Sequence, residues 1–177
     1  MQSISLADEL LLTRTAEAGI TLCCDEPSLP TDGRNLAVRA AEAVFRHCGL
    51  SGGVRIELKK RIPAEAGLGG GSADAAAVLR GLRALFALPL GDEALRELAL
   101  PLGADVPFCV SGGTMLAEGI GEALSPLSPM PPCHLVVVKP PCGGSTKAVY
   151  AALSLKALRP WEQPDARLLE NALRGQN

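Results

Sequence analysis

Residues 64–77 read AEAGLGGGSADAAA: four glycines within five positions, a serine, an aspartate, then alanines. Glycine lets a backbone turn tightly and lets an anion approach amides that a Cβ would block. Alanine propagates a helix strongly and keeps its first turn slim. The first amides of such a helix have no partner inside it, and its dipole leaves partial positive charge there. A glycine run joined to an alanine helix therefore has the chemistry of an anion cradle, with Ser72 placed to cap the helix or reach a metal or phosphate oxygen. The plainer reading is a flexible turn or a close helix-packing site. A strand before the glycines and an amphipathic helix after them favour the cradle. Neither better-known phosphate loop fits. No lysine follows the glycines, as a Walker loop requires, and Ser72 stands where a dinucleotide fingerprint needs its third glycine.

Two aspartates come next. Asp74, in the first turn of the expected helix, suits the dipole and needs no ligand. Beside phosphates it would repel unless a cation intervened, so helix stabilisation is the preferred reading. Asp105, in LGADVPF (102–108), follows an expected helix end and precedes a Val-Pro pair that breaks regular structure. Held in such a bend it could accept a proton from a hydroxyl, although alone such a residue is more often a turn or cap. Cys23, Cys24, Cys48, Cys109, Cys133 and Cys142 include no Cys-x-x-Cys pair, and only His47 and His134 could join them. No zinc centre is expected.

These residues need elements to hold them. SISLADELLL (3–12) and AGITLCC (18–24) read as strands, joined as a hairpin through TRTAEAG. After a breaker-rich loop (27–35), NLAVRAAEAVFRHCG has helical spacing at Leu36, Ala40, Val44 and Phe45 and ends on Gly49. GVRIELKKRIP (53–63) alternates Val54, Ile56 and Leu58 as a half-buried strand does. Beyond the glycines, Ala75, Val78, Leu79, Leu82, Leu85 and Phe86 form a helical stripe. A further helix opens at Gly91-Asp92 and closes near Pro101 and Gly103, and 114–124 suits a strand with a turn. The proline-dense stretch 125–133 reads as a linker between a first domain (1–124) and a shorter one (134–177). In the latter, HLVVVKP (134–140) reads as a buried strand, 146–155 as a short helix and the tail as another helical stretch. About 45 residues are fewer than usually fold alone, so this second domain is expected to be partial.

Hydrophobic residues make up 47% of the 177 and aromatics only 3%, so the core must be aliphatic and alanine-rich. A formal charge of −2 supplies no broad footprint for nucleic acid or an anionic membrane. MQSISLADEL has no basic flank or apolar core like a secretory signal, and no run approaches the roughly 18 apolar residues of a span. A reduced cytoplasmic protein is expected.

Together, PAEAGLGGGSADAAA from Pro63, LGADVPF and AEGIGE resemble the GHMP kinase superfamily, whose second motif is Pro-x-x-x-Gly-Leu-Gly-Gly-Gly-Ser. Likeness runs from about Ile4 to Tyr150, closest to the branch that serves the non-mevalonate isoprenoid pathway. The resemblance implies an α+β fold: a two-layer α/β N-terminal domain of a type shared with a ribosomal protein domain, plus a partial ferredoxin-like C-terminal domain. It implies ATP, with magnesium, as cofactor, and phosphorylation of a hydroxyl on a cytidine-diphosphate-linked methylerythritol as the reaction. By motif match, Asp105 would orient or deprotonate that hydroxyl. Pro63, Gly67, Leu68, Gly69, Gly70, Gly71 and Ser72 would form the triphosphate loop, with Asn35, Leu36 and Lys60 on the adenine side. Ile120, Thr146 and Tyr150 would line the substrate side, and no protein metal ligand is implied. Relatives of this type also carry an Asn-Ala-Lys-like first strand, an Asp-Gly-Tyr-His-like stretch and a late glycine motif, none of which these residues contain. Little turnover by these residues alone is therefore expected. A sister kinase acting on another small alcohol, or a catalytically dead nucleotide-binding remnant, is the alternative. A nucleic-acid module fits poorly, because basic and aromatic residues do not interleave.

Overall fold

The computed structural model describes residues 1–140, 151–152 and 166–175. Its centre is β3 (Gly53–Lys59), where Val54, Ile56 and Leu58 alternate with polar residues and are buried. β1 (Glu9–Thr15) runs antiparallel to β3 on one side and β2 (Gly19–Cys24) parallel to it on the other, in the order β1-β3-β2. Leu12 and Leu22 both stand opposite Ile56, so one register aligns the apolar face across all three strands. The hairpin expected from residues 3–24 is therefore corrected: β1 and β2 do not pair with each other. Their short connection passes over the start of β3, and it passes because Gly53 has no side chain; a Cβ there would collide with the carbonyl oxygens of Glu17 and Gly19. β3 fills the gap and satisfies both ladders.

Between β2 and β3 the chain forms α1 (Leu36–Cys48). Asn35 caps it by accepting from the Ala37 amide at 2.9 Å, and Gly49 ends it in the left-handed conformation, φ 61°. α2 (Gly70–Leu85) lies beside α1, with Ala75, Ala76, Val78, Leu79 and Leu82 buried against Ala37, Ala40, Ala41 and Val44. Alanines at the contact let the two helices approach closely. At their far ends Phe45 and Phe86 meet edge to face, 5.5 Å between centroids, with the Arg14 guanidinium 4.6 Å above the Phe86 ring. α3 (Asp92–Ala99) and a 3-10 turn (Leu100–Leu102) lead to α4 (Val106–Ser111). Val106-Pro107 opens α4 rather than breaking structure, because a proline in the first turn lacks only an N–H that the helix would leave unpaired.

β4 (Met115–Glu118) and β5 (Ala123–Pro126) form a hairpin, extended by residues 1–3 along 113–115. The hairpin takes Ser125 and Pro126, the first residues of the stretch read as linker. The buried strand expected at 134–140 is corrected too. Among the described residues nothing pairs with it, and Val136 and Val138 are 90% and 84% exposed. An apolar run states what would gain from burial, and does not name the partners its amides would need once out of water. The short helix expected at 146–155 lies largely outside the described residues, whereas α5 (Ala166–Leu173) takes up the tail. No helix among the described residues is long and apolar enough to cross a membrane.

Candidate active site

The chain leaves β3 at Lys59, turns through 60–69 and enters α2 at Gly70, beside the N-terminal end of α1. Gly67 and Gly69 are left-handed, φ 68° and 66°, conformations that favour a residue without a Cβ. Glu65 holds φ 52° as well, which costs a side-chain-bearing residue about 1 kcal/mol. Gly69 caps α2 without any side-chain bond, and the first helical bond runs from the Ala73 amide to the Gly69 carbonyl at 2.8 Å. The amides of Gly70, Gly71 and Ser72 thus open outward from the helix end. Ser72, third in the helix, is not its cap.

A cavity of about 260 Å³ lies over the Gly70 and Gly71 amides. It is lined by Asn35, Leu36, Lys60, Pro63 and Gly67 through Gly71, which brings together nine of the ten residues expected on the nucleotide side. Ser72 is the exception. Asn35 lines the cavity with its amide already committed, since Oδ1 accepts from Ala37 and Nδ2 donates to the Pro30 carbonyl at 2.8 Å. A broader depression on the outer sheet face, bordered by Leu11, Cys23, Glu57 and Lys59, has no comparable convergence of amides.

The floor of the cavity holds an ion cluster. Lys60 Nζ donates to Asp8 Oδ2 at 2.5 Å and to Asp74 Oδ2 at 2.8 Å. Asp8 is fully occupied, because its Oδ1 also accepts from the Arg61 and Ile62 amides at 2.5 and 2.8 Å. Burial works against its ionised form, but these bonds outweigh it and hold the Asp8 carboxyl below the usual range. Burial likewise opposes the Lys60 ammonium, and the two carboxylates more than restore it, keeping Lys60 charged above its ordinary value. Asp74 is the opposite case. Burial pushes its carboxyl up to about 6, Lys60 opposes that, and Asp8 adds to it. Its Oδ1 is buried without a hydrogen-bond partner.

The helix-dipole reading of Asp74 is therefore corrected. α2 begins at Gly70, so Asp74 is its fifth residue, beyond the first turn, and its side chain faces Lys60 inside the protein. Asp8 was missed altogether. Its signal was an acid at the entry to a strand, with Lys59, Lys60 and Arg61 gathered at the end of another.

Asp105 stands exposed in the turn before α4 and does not line the cavity. Its carbonyl accepts from the Cys109 amide at 3.1 Å. Burial first, then the charge of Asp105 and in smaller part that of Asp74, push the Cys109 thiol up to about 11, so Cys109 sits within the field of both acids and stays neutral. Ile120, 75% exposed, tops the tight loop between β4 and β5. That loop leans on the Asp105 turn: a Cβ on Gly121 would stand 2.9 Å from the Ala104 carbonyl oxygen. Asp105 and Ile120 thus share one edge. Thr146 and Tyr150 lie outside the described residues.

Residues 35–113, from the α1 cap through the α4 turn, match the model of the GHMP kinases N terminal domain. The chain is 44% identical over all 177 residues to a 4-diphosphocytidyl-2-C-methyl-D-erythritol kinase of Acetivibrio thermocellus, covering 62% of it. Over residues 35–113 the chain carries a GHMP kinases N terminal domain. A kinase of the same name from Synechococcus sp. (strain JA-3-3Ab) is 52% identical over 153 residues, which are 86% of this chain and 49% of that one. The crystal structure of a 4-(cytidine 5'-diphospho)-2C-methyl-D-erythritol kinase superposes with a TM-score of 0.73 at 41% identity, over 97% of this chain and 60% of that one. The chain thus spans between about half and three fifths of the relatives it matches. The α+β architecture expected from the motifs is the one observed.

Proposed function

We propose that the protein to which this chain belongs is an ATP-dependent kinase that phosphorylates a hydroxyl of 4-diphosphocytidyl-2-C-methyl-D-erythritol, in the cytoplasm, in isoprenoid biosynthesis. The observation that carries the reading is the pair of open amides of Gly70 and Gly71, facing a cavity with Lys60 at its floor. A triphosphate seated there meets partial positive charge in fixed directions. Phosphoryl transfer requires mainly positioning and charge neutralisation. Leu36 and Pro63 give the nucleotide an apolar wall, with Asn35 shaping that wall through the backbone it caps. Asp105 holds the acceptor hydroxyl in line and takes its proton as the new O–P bond forms and the bond to the departing ADP breaks. Ile120, with Thr146 and Tyr150, contacts the acceptor. In the same reading residues 1–124 are the nucleotide-binding domain, 125–133 the linker and 134–177 part of a C-terminal domain.

Magnesium enters as part of the ATP complex, carried on phosphate oxygens. No group of three His, Cys, Asp or Glu among the described residues could hold a metal ion, and the orphaned Asp74 oxygen is sealed beside an ammonium.

ADP release by the complete gene product tests the reading. It should require 4-diphosphocytidyl-2-C-methyl-D-erythritol, ignore homoserine and mevalonate, and fall at least a hundredfold in Asp105→Ala with folding unchanged. Equal turnover of all three alcohols, or full activity in Asp105→Ala, would overturn it.

A further inference from the structure

The amides at the α2 N-terminus attract a polyanion, yet the floor just beneath them has two carboxylates and one ammonium. With both acids ionised that floor is negative, and a phosphate chain would seat against repulsion. Asp8 cannot relieve this, because its hydrogen bonds from Lys60 and from the Arg61 and Ile62 amides favour the carboxylate. Asp74 can. It is 3% exposed, and its Oδ1 has no donor. A buried, unpaired carboxylate oxygen is costly, whereas a neutral carboxyl would gain a hydrogen bond to the Asp8 carboxylate. The titratable groups facing Asp74 are Lys60 from the end of β3, Asp8 from the segment before β1 and Cys109 from α4. Cys109 stays a neutral thiol, so the charge balance rests with the other two.

We propose that the Asp8–Lys60–Asp74 cluster makes phosphate binding at the glycine loop proton-linked: as the polyanion seats on the amides, one proton passes from solvent to the Asp74 carboxyl, which then acts as a positioning residue for Lys60. The neutral acid cancels the excess negative charge and leaves Asp8 as the one anionic anchor of the ammonium, whose remaining N–H can turn to the cavity. This inference rests on the nucleotide reading above.

The sign follows from linkage. In the unliganded protein Asp74 titrates near 6, and a neighbouring polyanion raises that value further. Below that range the proton is present with or without ligand, and affinity is flat. Above it, binding takes up a proton, so affinity falls with rising pH by up to about tenfold per unit.

Calorimetric titration of the full 177-residue chain with ATP tests this at pH 7.5 to 8.5, well above the second ionisation of a phosphate monoester near 6. Two buffers of different ionisation enthalpy report the protons exchanged. The wild-type protein should take up most of one proton and lose affinity across the range. Asp74→Asn, an isostere of the neutral acid, should take up none, bind with a flat pH profile and match or exceed wild-type affinity at pH 8.5. Asp8→Asn keeps an acceptor for the Arg61 and Ile62 amides, removes the like charge, and should also shrink the uptake. A purely structural cluster would change stability or affinity in these variants and leave the proton count alone. Wild-type binding without uptake, or undiminished uptake in Asp74→Asn, overturns the inference and leaves the nucleotide reading standing. No ATP binding by either protein overturns both.

Discussion

At the scale of single residues, the chemistry lies in groups that the fold leaves incompletely satisfied. The amides of Gly70, Gly71 and Ser72 are open because a helix must begin somewhere, and this one begins at a cavity. The Asp74 oxygen is incomplete for a different reason, since Lys60 divides its bonds between two acids. A stability consequence follows, independent of any ligand. Asp74 titrates near 6 when folded, against an ordinary value of 3.8. Its protonated form therefore stabilises the fold fully below about 3.8, and that contribution is lost as pH rises through about 6. The lowered Asp8 acts with the opposite sign, below the same starting value. Asp74→Asn should thus be more stable than wild type by roughly 1–3 kcal/mol at pH 7.5 and converge with it near pH 4. Denaturant unfolding at both pH values checks this, and equal destabilisation at both would contradict it. Sequence pattern could not expose the role of Asp74. The preference of Asp for helix starts is real, but a boundary shift of a few residues moved it from the dipole end to the interior face.

At the scale of elements, the helices were the most legible part. The Asn35 cap, the Gly49 stop and the apolar stripe from Ala75 to Leu82 all follow from a period of 3.6 and from end chemistry, which are local properties. The sheet was legible strand by strand and not as a sheet. Alternation identifies a half-buried strand without naming its neighbour, and adjacency in sequence favoured a hairpin where β3 instead divides β1 from β2. One residue makes that arrangement possible. Gly53→Ala would drive a Cβ into the backbone carbonyls of Glu17 and Gly19, neither of which can rotate away. It should cost about 3 kcal/mol, lowering the unfolding midpoint by roughly 2–4 °C per kcal/mol. A thermal melt within a degree of wild type would show that the crossing is looser than described. The same limit on pattern reading explains 134–140, where hydrophobicity was visible and the pairing partners were not.

At the scale of the whole molecule, an aliphatic core built from β3, α1 and α2 is the platform for two separate candidate edges. One is the glycine cavity, where β3 ends and α2 begins. The other is the Asp105 turn with the Ile120 loop against it, joined to the first through α4, whose Cys109 and Val110 carbonyls accept from Arg80 of α2. Motif order along the chain was enough to propose both edges, because each motif is contiguous; how they share a core is a property of packing. The central claim is that the amides entering α2 receive the phosphate chain of a nucleotide. Backbone amide NMR of the 177-residue chain titrated with ATP tests it most directly. Large, saturable shifts should concentrate at Gly69, Gly70, Gly71 and Ser72, and inorganic tripolyphosphate should reproduce them while adenosine does not. ATP-induced shifts that bypass those four amides, or no shifts at saturating ATP, would contradict it.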